Sequence, residues 1–261
     1  MSATTIDIDT NRPSIPFSRL LKVELRKMFD TRAGRWLLIS IAVLSVLAAA
    51  AVIAFAPDDI ITYGTFSSAF GVPLGVLLPV VAILAVTGEW SQRGGLTTFT
   101  LVPNRASVIW AKATAAVVVG VGALLLAFAV GALGNVVGAA LNGIDMVWDV
   151  TVAQFLTILL ANVLGLLLGF TLGALFRNTP AAIVGYFVYS LVLPGLFELL
   201  AALQDWFADI RPWVDFNSAQ TPLFEGSVDG EQWAQLATSG LLWFVLPLAA
   251  GVALIMRAEV K

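Results

Sequence analysis

Long apolar stretches separated by short polar segments dominate the chain. A helix needs roughly 20 largely apolar residues to cross a bilayer, and six stretches of the sequence reach that length. They run from Trp36 to Ala56, Phe66 to Thr87, Val108 to about Ala139, Val152 to Phe176, Ala181 to Leu203, and Leu236 to Met256. The pattern predicts an all-α polytopic membrane protein with six transmembrane helices, packed as one domain over residues 1–261.

Local sequence signals support several of these helix boundaries. Thr151 with Gln154 three residues later has the pattern of a capping box, which predicts the start of the fourth span. Thr179 followed by Pro180 predicts a capping residue before an N1 proline at the start of the fifth span. Four prolines fall inside spans, where neighbouring side chains are expected to satisfy the carbonyls that they free: Pro73, Pro79, Pro194 and Pro247.

Residues 17–33 precede the first span and have the pattern of an amphipathic helix. Their apolar positions recur at helical spacing, at Phe17, Leu20, Leu21, Leu25, Met28 and Phe29, with Arg19, Lys22 and Arg26 opposite. We expect this helix to lie in the headgroup layer of the membrane. Glu24 falls on its apolar side, which leaves two interpretations: the carboxylate reaches sideways to water, or it pairs with a cation of the segment from Gly88 to Lys112.

The distribution of charge predicts the orientation of the spans. Charged residues are only 12% of the chain and the mean hydropathy is +0.92. With the N-terminus inside, 13 of the 14 basic residues fall on the inner side and only Arg211 lies outside, whereas 11 of the 17 acids fall outside. We therefore expect both termini in the cytoplasm. Residues 1–16 lack an apolar signal-peptide core and are expected to be a disordered cytoplasmic tail.

Two polar segments between spans are long enough to have their own roles. Residues 88–106 form a predicted cytoplasmic loop that carries Glu89, Arg93 and Arg105, and its charge predicts contact with a partner. Residues 204–235 form the longest outer loop, in which tryptophans and phenylalanines indicate short helices at the outer membrane interface. This loop is interpreted either as an interfacial collar or as a substrate gate, and it could re-enter the membrane from Glu198 onwards.

Several kinds of chemistry are missing from the sequence. The chain has no cysteine and no histidine, which removes thiolate and imidazole metal ligands and any histidine base. No lysine follows a glycine, so no ATP-binding loop of the Gly-Lys-Ser/Thr type is present. Glu198 is the sole carboxylate within a predicted span, and it lies near the outer end, either at the interface or with a part in transport. We expect no catalytic residue, no metal and no cofactor.

The polar motifs and their order resemble those of the membrane subunits of ABC-2 type transporters, a family of bacterial exporter permeases. The resemblance covers the whole chain in topology and about 50 residues in motif. The matching motifs are Leu20-Leu-Lys-Val-Glu-Leu-Arg-Lys-Met-Phe29, Arg35-Trp36, Gly88-Glu89, Arg93-Gly94-Gly95-Leu96-Thr97, Pro103-Asn-Arg105 and Ala111-Lys112. The glycine doublet is a departure, because members of the family more often have one glycine followed by threonine there.

The resemblance implies a half-transporter of six helices in the bacterial cell membrane. Such a subunit pairs with a second copy of itself or a homologous permease, lies in membrane lipid, and binds separately encoded ABC ATPase subunits on its cytoplasmic face. No nucleic-acid partner is expected. The loop between the second and third spans would form a coupling helix in a groove of the ATPase. Carried over by motif, this ATPase-coupling region comprises Glu89, Arg93, Pro103, Arg105 and Lys112, and Glu24 marks the adjacent elbow helix.

The resemblance also implies that the second and fifth spans shape the substrate pathway. Residues near it would be Ser67, Ser68, Tyr186, Tyr189 and Ser190, although these side chains could equally make hydrogen bonds between helices. Two other functional classes remain open: an ion-coupled carrier or channel that works without an ATPase, and a structural or immunity membrane subunit. The sequence leaves the substrate and the choice between homodimer and heterodimer undecided.

Overall fold

A computed structural model describes residues 15–91 and 104–257, and within these two ranges the chain forms helices and no strand. The α-helices are α1 (Phe17–Asp30), α2 (Arg32–Phe55), α3 (Tyr63–Ala69), α4 (Gly71–Ser91), α5 (Arg105–Asn142), α6 (Val152–Phe176), α7 (Thr179–Phe187), α8 (Leu193–Leu203), α9 (Asp205–Val214), α10 (Phe216–Glu225), α11 (Gly230–Gly240) and α12 (Leu246–Arg257). A 3-10 turn spans Asp58–Ile60, and π-helical turns span Val188–Val192 and Leu241–Val245.

Six helical segments in the described chain are long and apolar enough to cross a membrane. The first four are α2, most of α4, α5 and α6. The fifth joins α7 to α8 through one π-turn, and the sixth joins α11 to α12 through the other. The fold is therefore that of an all-α polytopic membrane protein, as the hydropathy pattern predicts.

The predicted boundaries differ from the structure at the second span. The prediction starts this span at Phe66, whereas the structure forms a separate short helix, α3, and begins α4 at Gly71. Pro73 gives the physical reason, because it has no N–H to bond the carbonyl of Ala69, the last residue of α3. Thr62 caps the start of α3 by accepting a hydrogen bond from the N–H of Thr65 at 3.2 Å.

Three predicted segments have different limits in the structure. The amphipathic helix ends at Asp30 instead of residue 33, because Thr31 is extended and caps α2. The described parts of the predicted loop 88–106 belong to helices except for Asn104, which caps α5, since Gly88 lies near the end of α4 and Arg105 begins α5. The predicted outer loop 204–235 consists mainly of the short helices α9 and α10 and the first half of α11.

The two predicted helix caps have different outcomes. Thr151 does cap α6, and its hydroxyl accepts from the N–H of Gln154 at 3.1 Å. The cap of α7 is Asn178 instead of Thr179, and its side chain accepts from the N–H of Ala181 at 3.0 Å. The hydroxyl of Thr179 lies 2.7 Å from that of Thr87 on the second span, so it joins two spans instead of capping one.

The second and fourth spans pack closely through glycines of α6. Gly165, Gly169 and Gly173 recur every four residues, a spacing that lets helix backbones approach closely in membranes. An added Cβ on Gly169 would lie 2.6 Å from the carbonyl oxygen of Pro79. An added Cβ on Gly173 would overlap the side chain of Val86. These contacts make the pairing of α4 with α6 the centre of the bundle.

The π-turns of the fifth and sixth spans are similar in sequence and lie against each other. Each turn ends in valine and is followed by Leu-Pro, at Pro194 and at Pro247. A proline cannot donate the usual hydrogen bond four residues back, and the chain instead makes bonds five residues back, from Leu193 to Val188 and from Leu246 to Leu241. The rings of Tyr189 and Trp243, one from each turn, have centroids 5.4 Å apart.

Candidate functional site

Four charged side chains from three helices form a closed ring of ion pairs, referred to below as the ion-pair ring. Glu24 and Lys27 lie on α1, Glu89 on the last turns of α4 and Lys112 near the start of α5. The Nζ atom of Lys112 lies 2.7 Å from Glu24 Oε2 and 2.9 Å from Glu89 Oε1. The Nζ atom of Lys27 lies 2.8 Å from Glu24 Oε1 and 2.9 Å from Glu89 Oε1. Acids and bases therefore alternate around the ring.

The ring decides between the two interpretations of Glu24. The carboxylate does not reach water, because its side chain is only 9% exposed and binds Lys112. The prediction that Glu24 pairs with a cation of the segment from Gly88 to Lys112 is confirmed. Lys27 is the member that the sequence analysis missed, and the available signal was its spacing of three residues from Glu24 on one helix, which brings the side chains together.

The electrostatics of the ring follow from its burial. The side chains of Glu89 and Lys112 are 7% and 5% exposed, whereas that of Lys27 is 42% exposed. Burial by itself lowers the pKa of Lys27, but hydrogen bonds and attraction from Glu24 and Glu89 outweigh it, so the pKa lies above its ordinary 10.5. Because two acids face two bases, the buried charges compensate one another.

Arg105 lies close to this region but makes a different contact. Its Nη1 atom donates hydrogen bonds to the carbonyl oxygens of Ile255 at 3.1 Å and Met256 at 3.4 Å. These carbonyls belong to the last turn of α12, where helix carbonyls lack partners within the helix. Arg105 thus joins the start of the third span to the end of the sixth. The predicted coupling residues Arg93 and Pro103 lie outside the described residues.

The predicted pathway residues divide between two places. Ser67 and Ser68 line a cavity of about 330 Å³ together with Gln154 and Asn162. Its described lining contains no residue of the fifth span.

The other predicted pathway residues lie on the fifth span. Tyr186 and Tyr189 are buried there. The hydroxyl of Tyr186 donates to the carbonyl of Gly75 at 2.5 Å, and Ser190 lies beside that hydroxyl. Two of the five predicted residues therefore line a shared cavity, and Tyr186 makes a hydrogen bond between helices.

A second charged cluster lies at the opposite end of the bundle. Arg211 on α9 donates to Glu198 Oε2 at 2.5 Å and to Asp215 Oδ2 at 3.3 Å. Burial lowers the pKa of Arg211, but the hydrogen bonds and attraction of the two carboxylates raise it above its ordinary value. Glu198 is 72% exposed and paired, which is consistent with a position at the membrane interface.

The described chain has no group of three or more metal-ligating side chains. In comparison with known proteins, the sequence matches no protein-family model and no curated protein at a significant level. Fold and site together define a polytopic all-α membrane protein with a buried ion-pair ring. The ring joins the amphipathic helix to the two spans that flank residues 92–103.

Proposed function

We propose that this chain is the permease subunit of an ATP-driven ABC exporter in the bacterial cell membrane. It would work as a dimer with a second permease, coupled on the cytoplasmic face to separately encoded ATPase subunits. The observation that supports this proposal best is the ion-pair ring. The ring fastens α1 to the end of α4 and the start of α5, the two helices between which the proposed ATPase-binding segment lies.

The ring gives this segment a mechanical connection to the membrane helices. Displacing the end of α4 or the start of α5 alone would separate Glu89 or Lys112 from its partners in a poorly hydrated place. Leaving one such charge unpaired costs about 3–5 kcal/mol. The three helices are therefore expected to move together when an ATPase pushes or pulls on the residues between them.

Arg105 would extend the same movement to the sixth span. Its hydrogen bonds to Ile255 and Met256 tie the beginning of α5 to the end of α12. A shift of the coupling segment would then reach the first helix through the ring and the last helix through Arg105. ATP hydrolysis itself would belong to the partner, and the chain would have no catalytic role.

The substrate pathway would lie between the two permease subunits. Of the predicted pathway residues, Ser67, Ser68 and Ser190 retain at least partial exposure, whereas Tyr186 and Tyr189 are buried within the chain. We therefore assign the three serines as the better candidates for contact with substrate. The tyrosines would serve to pack the fifth span.

The test is to purify the tagged chain from its native membrane and ask whether an ATPase accompanies it. ATP hydrolysis by the complex is then measured in lipid nanodiscs for the wild type and for Glu89→Lys. We expect the charge reversal to abolish association or to make hydrolysis independent of the permease. A variant that inverts all four ring charges keeps the alternation of acids and bases and should recover part of the coupling.

Arg211→Gln provides the matched control, because it removes an ion-paired cation at the opposite end of the bundle. It should leave ATPase association unchanged. The proposal fails if no ATPase accompanies the chain and the purified protein alone moves solute down an ion gradient. That result would identify an ion-coupled carrier or channel instead. Unaltered ATPase coupling in folded Glu89→Lys would reject the role of the ring.

A further inference from the structure

A groove of about 350 Å³ opens beside the ion-pair ring, between α1, α2, α4 and α5. Most of its wall is aliphatic, with Leu37, Leu38, Val81, Leu84, Ala85 and Val119 among its lining. The four ring residues and Thr31 line its other end. From Glu89 to Val81 the groove follows α4 for roughly 12 Å, at about 1.5 Å per residue.

These dimensions fit one leaflet of a membrane. The hydrocarbon core of a bilayer is about 30 Å thick, so a single leaflet contributes about half of that. With α1 in the headgroup layer, as its amphipathic pattern predicts, the charged end of the groove would lie at headgroup level and the aliphatic end among acyl chains. A ligand with one polar end and a long apolar body matches both halves of this groove.

The ion-pair ring is neutral as a whole, so the net positive charge near the mouth comes from the start of α2, and this charge favours a phosphate group. Lys27 is the ring cation that stays accessible, with 42% of its side chain exposed, while Lys112 is 5% exposed. The first turn of α2 contains Arg32 and Arg35 and no acid. Ala33 and Gly34 of the same turn line the groove, and the positive end of the helix dipole adds to the attraction for an anion.

We propose that this groove binds one phospholipid of the leaflet that contains α1. One acyl chain lies between α2 and α4, and the phosphate lies at Lys27 and the start of α2. The volume is at the lower end of the range for ligand pockets, which suits one chain with the headgroup outside. Bound in this way, the lipid would brace the ion-pair ring against the first span. The proposal requires no ATPase and is independent of transport.

The test is native mass spectrometry of the purified, detergent-exchanged protein with added dioleoyl phosphatidylglycerol. The wild type should keep one phospholipid per chain. Dioleoylglycerol has the same chains without the phosphate, and it should bind about tenfold more weakly, the effect of losing a charge-assisted hydrogen bond. Inorganic phosphate should not compete, because it lacks the acyl chain that fills the groove.

Two substitutions on α2 separate this groove from the general lipid-facing surface. Leu38 lines the groove, whereas Leu47 does not and is 57% exposed. Leu38→Trp should fill the groove and reduce retention of phosphatidylglycerol by about tenfold, and Leu47→Trp should bind lipid as the wild type does. Lys27→Gln should weaken the binding of phosphatidylglycerol and leave the binding of dioleoylglycerol unchanged.

Three results would overturn the proposal. One is equal binding of the two lipids by the wild type, which needs no variant and therefore does not depend on whether a variant folds. Another is equal loss of lipid in both tryptophan variants. The third is a change of oligomeric state in Leu38→Trp with lipid retained, which would make the groove a contact for a second copy of the chain.

Discussion

The hydroxyl of Tyr186 in the fifth span donates a 2.5 Å hydrogen bond to the carbonyl oxygen of Gly75 in the second span. This carbonyl lies four residues before Pro79, which has no N–H to offer it. A side chain from a neighbouring helix thus replaces the bond that the proline removes. The expectation that neighbours satisfy such carbonyls is confirmed for Pro79.

Tyr186→Phe should destabilise the protein by about 1–3 kcal/mol, because it leaves the Gly75 carbonyl buried without its partner. The measurement is reversible unfolding in mixed micelles, compared with the wild type. Pro79→Ala is the matched background, since alanine restores an N–H within the helix. In that background the cost of Tyr186→Phe should become markedly smaller, and an equal cost in both backgrounds would contradict this account.

Lys112→Met should destabilise the fold by about 3–5 kcal/mol, because it leaves Glu24 and Glu89 buried with only Lys27 between them. Lys27→Met should cost about 1 kcal/mol or less, since Lys27 is substantially exposed and water screens its charge. Unfolding free energies of the two variants test this order. The reverse order would show that Lys27 is the dominant cation.

Adding Glu24→Gln to Lys112→Met should recover part of the lost stability, because it removes one of the uncompensated acids. A double-mutant cycle on Glu24 and Lys112 measures this coupling. Additive effects of the two substitutions would mean that the 2.7 Å contact between them contributes nothing.

Gly169→Ala should destabilise the bundle by about 1–3 kcal/mol, because its methyl group would meet the backbone of Pro79 at 2.6 to 2.8 Å. Gly165→Ala is the matched control on the same helix. A Cβ there would have no described atom within 4 Å outside its own helix, so it should be neutral or stabilise by up to about 1 kcal/mol. Thermal unfolding of both variants checks the difference in sign.

The raised pKa of Lys27 predicts a loss of stability at high pH. Lys27 stabilises the folded state fully below its unfolded pKa of about 10.5. The contribution is lost as the pH rises through the higher folded value. The unfolding midpoint of the wild type relative to Lys27→Gln should therefore be constant between about pH 7 and 10 and converge above that range. If the difference in unfolding midpoint between the wild type and Lys27→Gln disappeared on acidification towards pH 7, the result would contradict a raised pKa of Lys27.

Hydropathy alone predicted the six spans because membrane crossing depends on the summed apolarity of about 20 residues, which needs no knowledge of neighbours. The details that it missed depend on tertiary contacts. Thr179 had the pattern of a cap, but its hydroxyl binds Thr87 on another span and Asn178 caps the helix. The close approach at Gly169 was also missed, although glycines spaced four apart were a usable signal.

The ion-pair ring could be predicted from the sequence only in part. The position of Glu24 on an apolar helix face indicated a buried partner, because an unpaired carboxylate is costly there. Hydropathy could not choose Lys112 as that partner, since the choice depends on how α1 lies across the start of α5. Lys27 was missed because any lysine at a membrane interface has the same apolar alkyl chain and exposed charged end, so its pattern does not indicate an ion pair.

The π-turn of the fifth span also changes which side of the helix its residues occupy before and after the turn. A π-turn accommodates an extra residue, and each residue advances a helix by about 100°. Before the π-turn at Val188–Val192, Tyr186 contacts the second span. After the turn, Phe197 packs against Phe207 of α9 with ring centroids 5.7 Å apart. The fifth span thus packs against different helices before and after its π-turn. If its sequence were aligned with that of an uninterrupted helix, the positions after Val192 would be shifted by one residue.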